Sequence, residues 1–195
     1  MSDFDVTHLV TADWIYQLPF GRGRALGAQS NWLVNGVIGG WEFSGLTRWT
    51  SGLPFSTPVA GAWTTAVVLP SNAIPTGPIK IQKKGNVLNF TSNGQPVNPA
   101  TGVGVRYPVS GEVGPRNNYR GDGYFGIDSG LHKSWQVADR QQLAFAWEIF
   151  NVSNSVRFDT NPATFQNSFN RGNFGTYGAT LTQPRIQQFS LRYSF

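Results

Sequence analysis

Residues 185–195 read RIQQFSLRYSF, and apolar and polar side chains alternate through them up to a terminal Phe. Phe189, Leu191, Tyr193 and Phe195 fall on one face of an extended strand, and Ser190, Arg192 and Ser194 on the other. A strand of about ten residues is long enough to cross a bilayer with tilt. Termini of water-soluble domains are usually polar and frayed, so a run of this kind that closes on an aromatic residue implies a strand with one face against lipid. The fold class that follows is all-β: a segment of an antiparallel transmembrane β-barrel.

Composition points the same way. Of 195 residues only 13% are charged, against about 25% in soluble domains. The 23 Gly, 7 Trp and 14 Phe suit aromatic strands joined by turns better than helices. The absence of cysteine excludes disulfides, thiolate metal sites and a cysteine nucleophile. A net charge of +5 raises the question of nucleic acid, yet Lys and Arg are scattered apart from Lys83-Lys84 and Arg22-Gly23-Arg24. No basic stripe is interleaved with stacking aromatics, which argues against that partner. No apolar run reaches the roughly 18 residues of a membrane-spanning helix.

Four more segments share the strand period. Residues 7–18 set Val10, Ala12, Trp14, Tyr16 and Leu18 against Thr11, Asp13 and Gln17. Residues 40–51 set Trp41, Phe43 and Trp49 against Glu42, Ser44, Arg48 and Thr50. Residues 124–136 set Phe125, Ile127, Leu131 and Trp135 against Asp128, Gly130, His132 and Ser134, and residues 142–150 set Leu143, Phe145, Trp147 and Ile149 against Ala144, Ala146 and Glu148.

The connections are uneven. Only residues 137–141 join the third and fourth segments, whereas about seventy residues separate the second from the third and about thirty-five the fourth from the fifth. Outer-membrane barrels keep short turns on the periplasmic side and long loops outside. With the terminal Phe at the periplasmic edge, both long connections fall outside. The link 19–39 is longer than a usual periplasmic turn; within it residues 31–38, NWLVNGVI, read as a short amphipathic helix near the interface, with a hairpin whose second strand starts early as the alternative.

The runs HLVTADWIYQLPFGRGR (8–24), GGWEFSGLTRWTSGLPF (39–55), GPRNNYRGDGYFGIDSGLHKSW (114–135), LAFAWEIFNVSNSVRF (143–158) and PRIQQFSLRYSF (184–195) resemble, in order, the C-terminal part of the Oar-like β-barrel of TonB-dependent transporters. The resemblance implies a bacterial outer-membrane receptor that takes up a nutrient with energy from TonB–ExbB–ExbD, with outer-membrane lipid, a plug domain and the remainder of the barrel as partners. It also implies that Phe189, Leu191, Tyr193 and Phe195 form the signal read by the barrel assembly machinery. A complete member carries a regulatory-like module, a plug and more strands than are found here. Five strands cannot close a barrel whose practical minimum is eight. The start, MSDFDVTHLV, places Asp3 and Asp5 where an export signal needs positive charge. The chain is therefore expected to be a fragment, the C-terminal portion of a longer protein.

Within a barrel the two faces acquire separate roles. Trp14, Tyr16, Trp41, Phe43, Trp135, Phe145, Trp147 and Tyr193 are expected to meet lipid, and Asp13, Glu42, Arg48, Asp128, His132, Glu148 and Arg192 to line the lumen, where charge is cheap. Mutual salt bridges that merely satisfy the wall are the plainer role for each charged group.

Residues 53–122 and 151–184 read as extracellular loops, with a small hairpin at Asn93-Gly94 in the first. In the second, Phe158, Phe165, Phe169 and Phe174 either pack over the mouth or form loop core. Neither His8 nor His132 has a partner at a catalytic spacing, no recognised enzyme motif occurs, and Asp122 with Asp128 makes no calcium loop; no enzyme activity and no cofactor are expected. The competing function is a soluble β-sandwich that binds carbohydrate on its Trp-rich face.

Overall fold

The structure is a computed structural model that describes residues 2–59, 71–169 and 172–195. In chain order the elements begin with β1 (Leu9–Gln17), α1 (Trp32–Ile38) and β2 (Trp41–Thr50). Short strands follow: β3 (Pro54–Phe55), β4 (Pro58–Val59), β5 (Ser71–Asn72), β6 (Ile74–Pro75), β7 (Lys80–Lys84), β8 (Val87–Ser92), β9 (Gln95–Pro96), β10 (Val105–Arg106) and β11 (Tyr119–Arg120). Three long strands close the chain: β12 (Phe125–Ala138), β13 (Gln141–Phe150) and β14 (Ile186–Ser194).

Contacts divide the chain into two compact units. One, formed by Leu9–Trp49, Phe125–Val156 and Thr182–Phe195, is a five-stranded sheet in the order β1-β2-β12-β13-β14. Each of the five lies on a segment whose alternation marks it as a strand. Register carries that alternation across the sheet: Phe43, Leu131 and Trp147 stand abreast, and Trp147 pairs in turn with Phe189. Cross-strand aromatic pairs of this kind each contribute about 0.2–1 kcal/mol. The Trp147 and Phe189 rings are stacked with centroids 5.7 Å apart. β12 runs two residues beyond the expected 136, with a register irregularity between Gln136 and Ala138, so that Asp139-Arg140 is all that turns the chain into β13.

In the sheet order β1 and β14 have one neighbour each. Within this unit α1 is the element that packs on the aromatic face; no second sheet lies there among the described residues. Tyr193 remains 52% exposed. The layered arrangement that a soluble sandwich requires is thus not what this unit contains.

The other unit comprises Met1–His8, Thr50–Tyr124 and Arg157–Leu181, the two long connections plus the first residues. Parts of the expected loops, 60–70 and 170–171, lie outside the described residues. The rest is well packed. Phe55, Leu88, Phe90, Tyr119, Phe165 and Tyr177 form one buried cluster with Phe158 and Phe174 against it, and Val59, Ala73 and Val105 form another with Phe169 against it. Loop core is therefore the role of the four Phe residues in the second connection. The expected hairpin is present: β8 and β9 join through Asn93 and Gly94, both at positive φ, as a two-residue turn requires.

Candidate functional site

The long sheet presents two chemically distinct faces, and register decides which residues share one. Glu42, His132, Ala146 and Ser190 form one row, and Ser44, Gly130, Glu148 and Gln188 the next. Asp128 pairs with Leu46, Arg48 with Gly126, and Ser134 with Ala144 and thence Arg192. A hollow on this side is lined by Asp13 together with Glu148 and His132. The seven polar residues Asp13, Glu42, Arg48, Asp128, His132, Glu148 and Arg192 thus lie on one side of a single sheet.

Their local partners differ. Asp128 accepts the Asn151 backbone N–H at 2.8 Å and so holds the turn after β13, where Asn151 adopts φ 52°. Ser44 Oγ and His132 Nε2 are 3.3 Å apart. The imidazole lies over Gly130, where a Cβ would collide with it. Among the described residues neither Glu42 nor Glu148 bonds to that imidazole, so the third member of a Ser–His–acid arrangement is not in place. Asp13, Glu42, Glu148 and Arg192 make no salt bridge among the described residues; the ion pairs found lie in the loop unit. Asp13, Glu42, Glu148 and Arg192 thus give the wall donors and acceptors for a polar partner. A second hollow, of about 460 Å³, adds Arg24 and Gln17 to Glu42, His132 and Arg192; Arg24 donates to Gln17 Oε1 at 3.0 Å. Arg24 belongs to this wall and escaped the sequence reading because it sits outside any strand.

Trp14, Tyr16, Trp41, Phe43, Trp135, Phe145, Trp147 and Tyr193 share the opposite face. Strand parity and pairing place them there, and ring contacts link Trp14 to Phe43, and Trp41 to both Trp135 and Phe145. Phe189, Leu191 and Phe195 continue that face on the last strand. One charged residue interrupts it. Lys133 is 4% exposed, and its Nζ donates to the carbonyls of Val37, at 3.0 Å, and Gly39. The signal was present in GLHKSW, where a lysine occupies the parity of Leu131 and Trp135.

The loop unit gathers charge differently. Asp122, almost buried, pairs with Lys83 at 2.5 Å and accepts the Phe158 N–H at 3.1 Å, with Arg157 at 3.5 Å. Its own N–H donates to the Tyr177 hydroxyl at 2.9 Å, and burial first of all pushes the Tyr177 phenol above its usual range. Asp122 is thereby committed to binding the two connections together. Glu112 receives both terminal nitrogens of Arg106, at 2.6 and 2.8 Å, and the Val109 N–H; the Arg106 bonds, with that backbone bond second, hold its carboxyl down at about 2. A hydrogen bond from Asn117, ahead of the charge of Arg116, lowers Asp3.

A scan against family models matches residues 1–188 to the outer membrane beta barrel domain. Searches of curated proteins and of solved structures return no significant match.

Proposed function

The chain belongs to the outer membrane beta barrel domain family, and on that premise we propose that it is the C-terminal portion of an Oar-like, TonB-dependent receptor that takes up a nutrient across the bacterial outer membrane. The observation that carries the reading is the alternation kept in register over β2, β12, β13 and β14 of a five-stranded sheet, with one neighbour only for β1 and for β14. In hydrocarbon each unpaired edge group costs on the order of several kcal/mol, so such a sheet calls for further strands. Those strands and a plug domain are supplied by the rest of the receptor. The aromatic face meets lipid, and the polar face lines a wet lumen where Asp13, Glu42, His132, Glu148 and Arg192 contact the plug or passing solute.

A compact loop unit supports a receptor rather than a bare pore, since packed loops can present a fixed surface to a ligand. Energy arrives through TonB–ExbB–ExbD, and the assembly machinery reads Phe189, Leu191, Tyr193 and Phe195. The intact receptor extracted from outer membranes should form a complex with the purified C-terminal domain of TonB. A receptor with an accessible plug region that gives no complex would reduce the reading to an outer-membrane barrel without energised transport.

A further inference from the structure

α1 is seven residues long and would be unstable alone, because isolated short helices do not recover their nucleation cost. Two local devices start it and tie it down. Asn31 accepts the Val34 N–H at 2.9 Å as N-cap, and Asn35 Oδ1 accepts the Arg22 N–H at 2.6 Å from the preceding loop.

The C-terminal end is held by the aromatic face of the sheet. Trp135 Nε1 donates to Gly36 O at 2.6 Å, Trp41 Nε1 donates to Val37 O at 2.8 Å, and Lys133 Nζ donates to Val37 O and Gly39 O. The ammonium also lies 5.3 Å from the Trp41 ring centre and 5.1 Å from that of Trp135. A cation at a helix C-terminus is favourably placed against the helix dipole. These contacts explain how a lysine persists on a face otherwise apolar.

The side of α1 turned away from the sheet is apolar and exposed: Trp32 at 75%, Val37 at 68%, with Leu33 and Val34 beside them. It lies at the end of the sheet that carries Tyr193 and the short 139–140 turn, and so continues the aromatic band. Between Leu18 and Trp41 the only charged residues are Arg22 and Arg24. Arg24 turns to the polar wall, where it donates to Gln17, so Arg22 is the charge left beside the ridge; an apolar ridge flanked by a basic residue suits an anionic phospholipid interface.

We infer that α1 is an interfacial foot on the outside of the barrel, seated at the headgroup–acyl boundary of the periplasmic phospholipid leaflet, and that Lys133, with Trp41 and Trp135, locks it there. This rests on the reading that the aromatic face meets lipid and on the orientation set by loop length; it does not depend on TonB or on the cargo.

The chain has no cysteine, so single spin labels test the inference. Val37→Cys and Leu33→Cys are labelled in a cysteine-free intact barrel in phosphatidylethanolamine–phosphatidylglycerol vesicles, with Leu191→Cys as band reference and Ser30→Cys as a second loop site. Labels at 33 and 37 should collide more often with oxygen than with a water-soluble nickel chelate, as at 191. Preference for nickel at 33 and 37, or shielding from both reagents by protein, overturns the foot. Preference for nickel at 191 as well defeats the lipid-facing reading itself. Adding Lys133→Met to the Val37→Cys barrel should move the label toward nickel, and an unchanged ratio removes the lock from Lys133.

Discussion

Gly45 lies where the Trp14 ring crosses β2, and a Cβ there would overlap that ring. The substitution Gly45→Val must therefore push the indole off its seat beside Phe43. Overpacking of this kind costs about 1–3 kcal/mol, which urea unfolding of the intact barrel in detergent should register as a lowered midpoint; pairing the change with Trp14→Ala should recover most of the loss. Glu112 makes the opposite case, a residue whose contribution is polar and conditional on pH. Its folded-state carboxyl is held at about 2 from a usual 4.5 by Arg106 first and the Val109 N–H second. The contribution is present above the unfolded value and fades as pH falls from about 4.5 through about 2. The carboxyl resonance of Glu112 should titrate near the lower limit, and Arg106→Gln should return it toward the ordinary carboxylate range. At this scale the shared side of the charged strand residues was legible from parity alone. The partners of Asp122, Asp3 and Glu112 were not, because each arises from residues whose positions only the folded loops determine.

All five long strands were legible because each is governed by a local period: side chains of one parity are mainly apolar and those of the other mainly polar, even though residues such as Lys133 and Leu46 break the pattern. α1 was legible too, from its apolar spacing, although the sequence left a hairpin open in its place; Asn31 as N-cap settles the helix locally. Lys133 was passed over because a charge at apolar parity has no meaning until the carbonyls of Val37 and Gly39 are known to end there. The Asn93-Gly94 turn was read correctly, whereas Gly85-Asn86, which joins β7 to β8, was not, although Gly85 adopts φ 61°. The two-residue pairings β3–β11, β4–β5 and β6–β10 carry no period of their own and depend on partners distant in sequence. β3 and β11 contribute Phe55 and Tyr119 to the Phe-rich core, and β4 and β10 contribute Val59 and Val105 to the smaller cluster around Ala73. Phe165, 1% exposed, packs on Phe55 and Tyr177, and Phe165→Ala should cost the loop unit about 3–5 kcal/mol. Hydrogen exchange should show β3 and β11 losing protection while β12 to β14 keep theirs; equal loss in both would mean that the two units unfold as one.

At the scale of the whole molecule the governing fact is a sheet with chemically opposite faces and two strands that each have a single neighbour. Such a sheet satisfies its backbone in hydrocarbon only as part of a closed barrel. Expressed by itself, the 195-residue chain should aggregate or require detergent; a monomer in plain buffer would contradict this. In an otherwise complete receptor, deletion of Phe195 should lower surface display by impairing assembly, and unchanged display would remove the terminal strand from that role.

The most direct test is a single-cysteine scan along β13 in the intact barrel within outer membranes, using a membrane-impermeant maleimide. Cysteines replacing Ala144, Ala146 and Glu148 should react, and those replacing Leu143, Phe145, Trp147 and Ile149 should stay unlabelled until detergent strips the lipid. Equal labelling of both sets before detergent, or protection of the second set that survives detergent, would contradict the account.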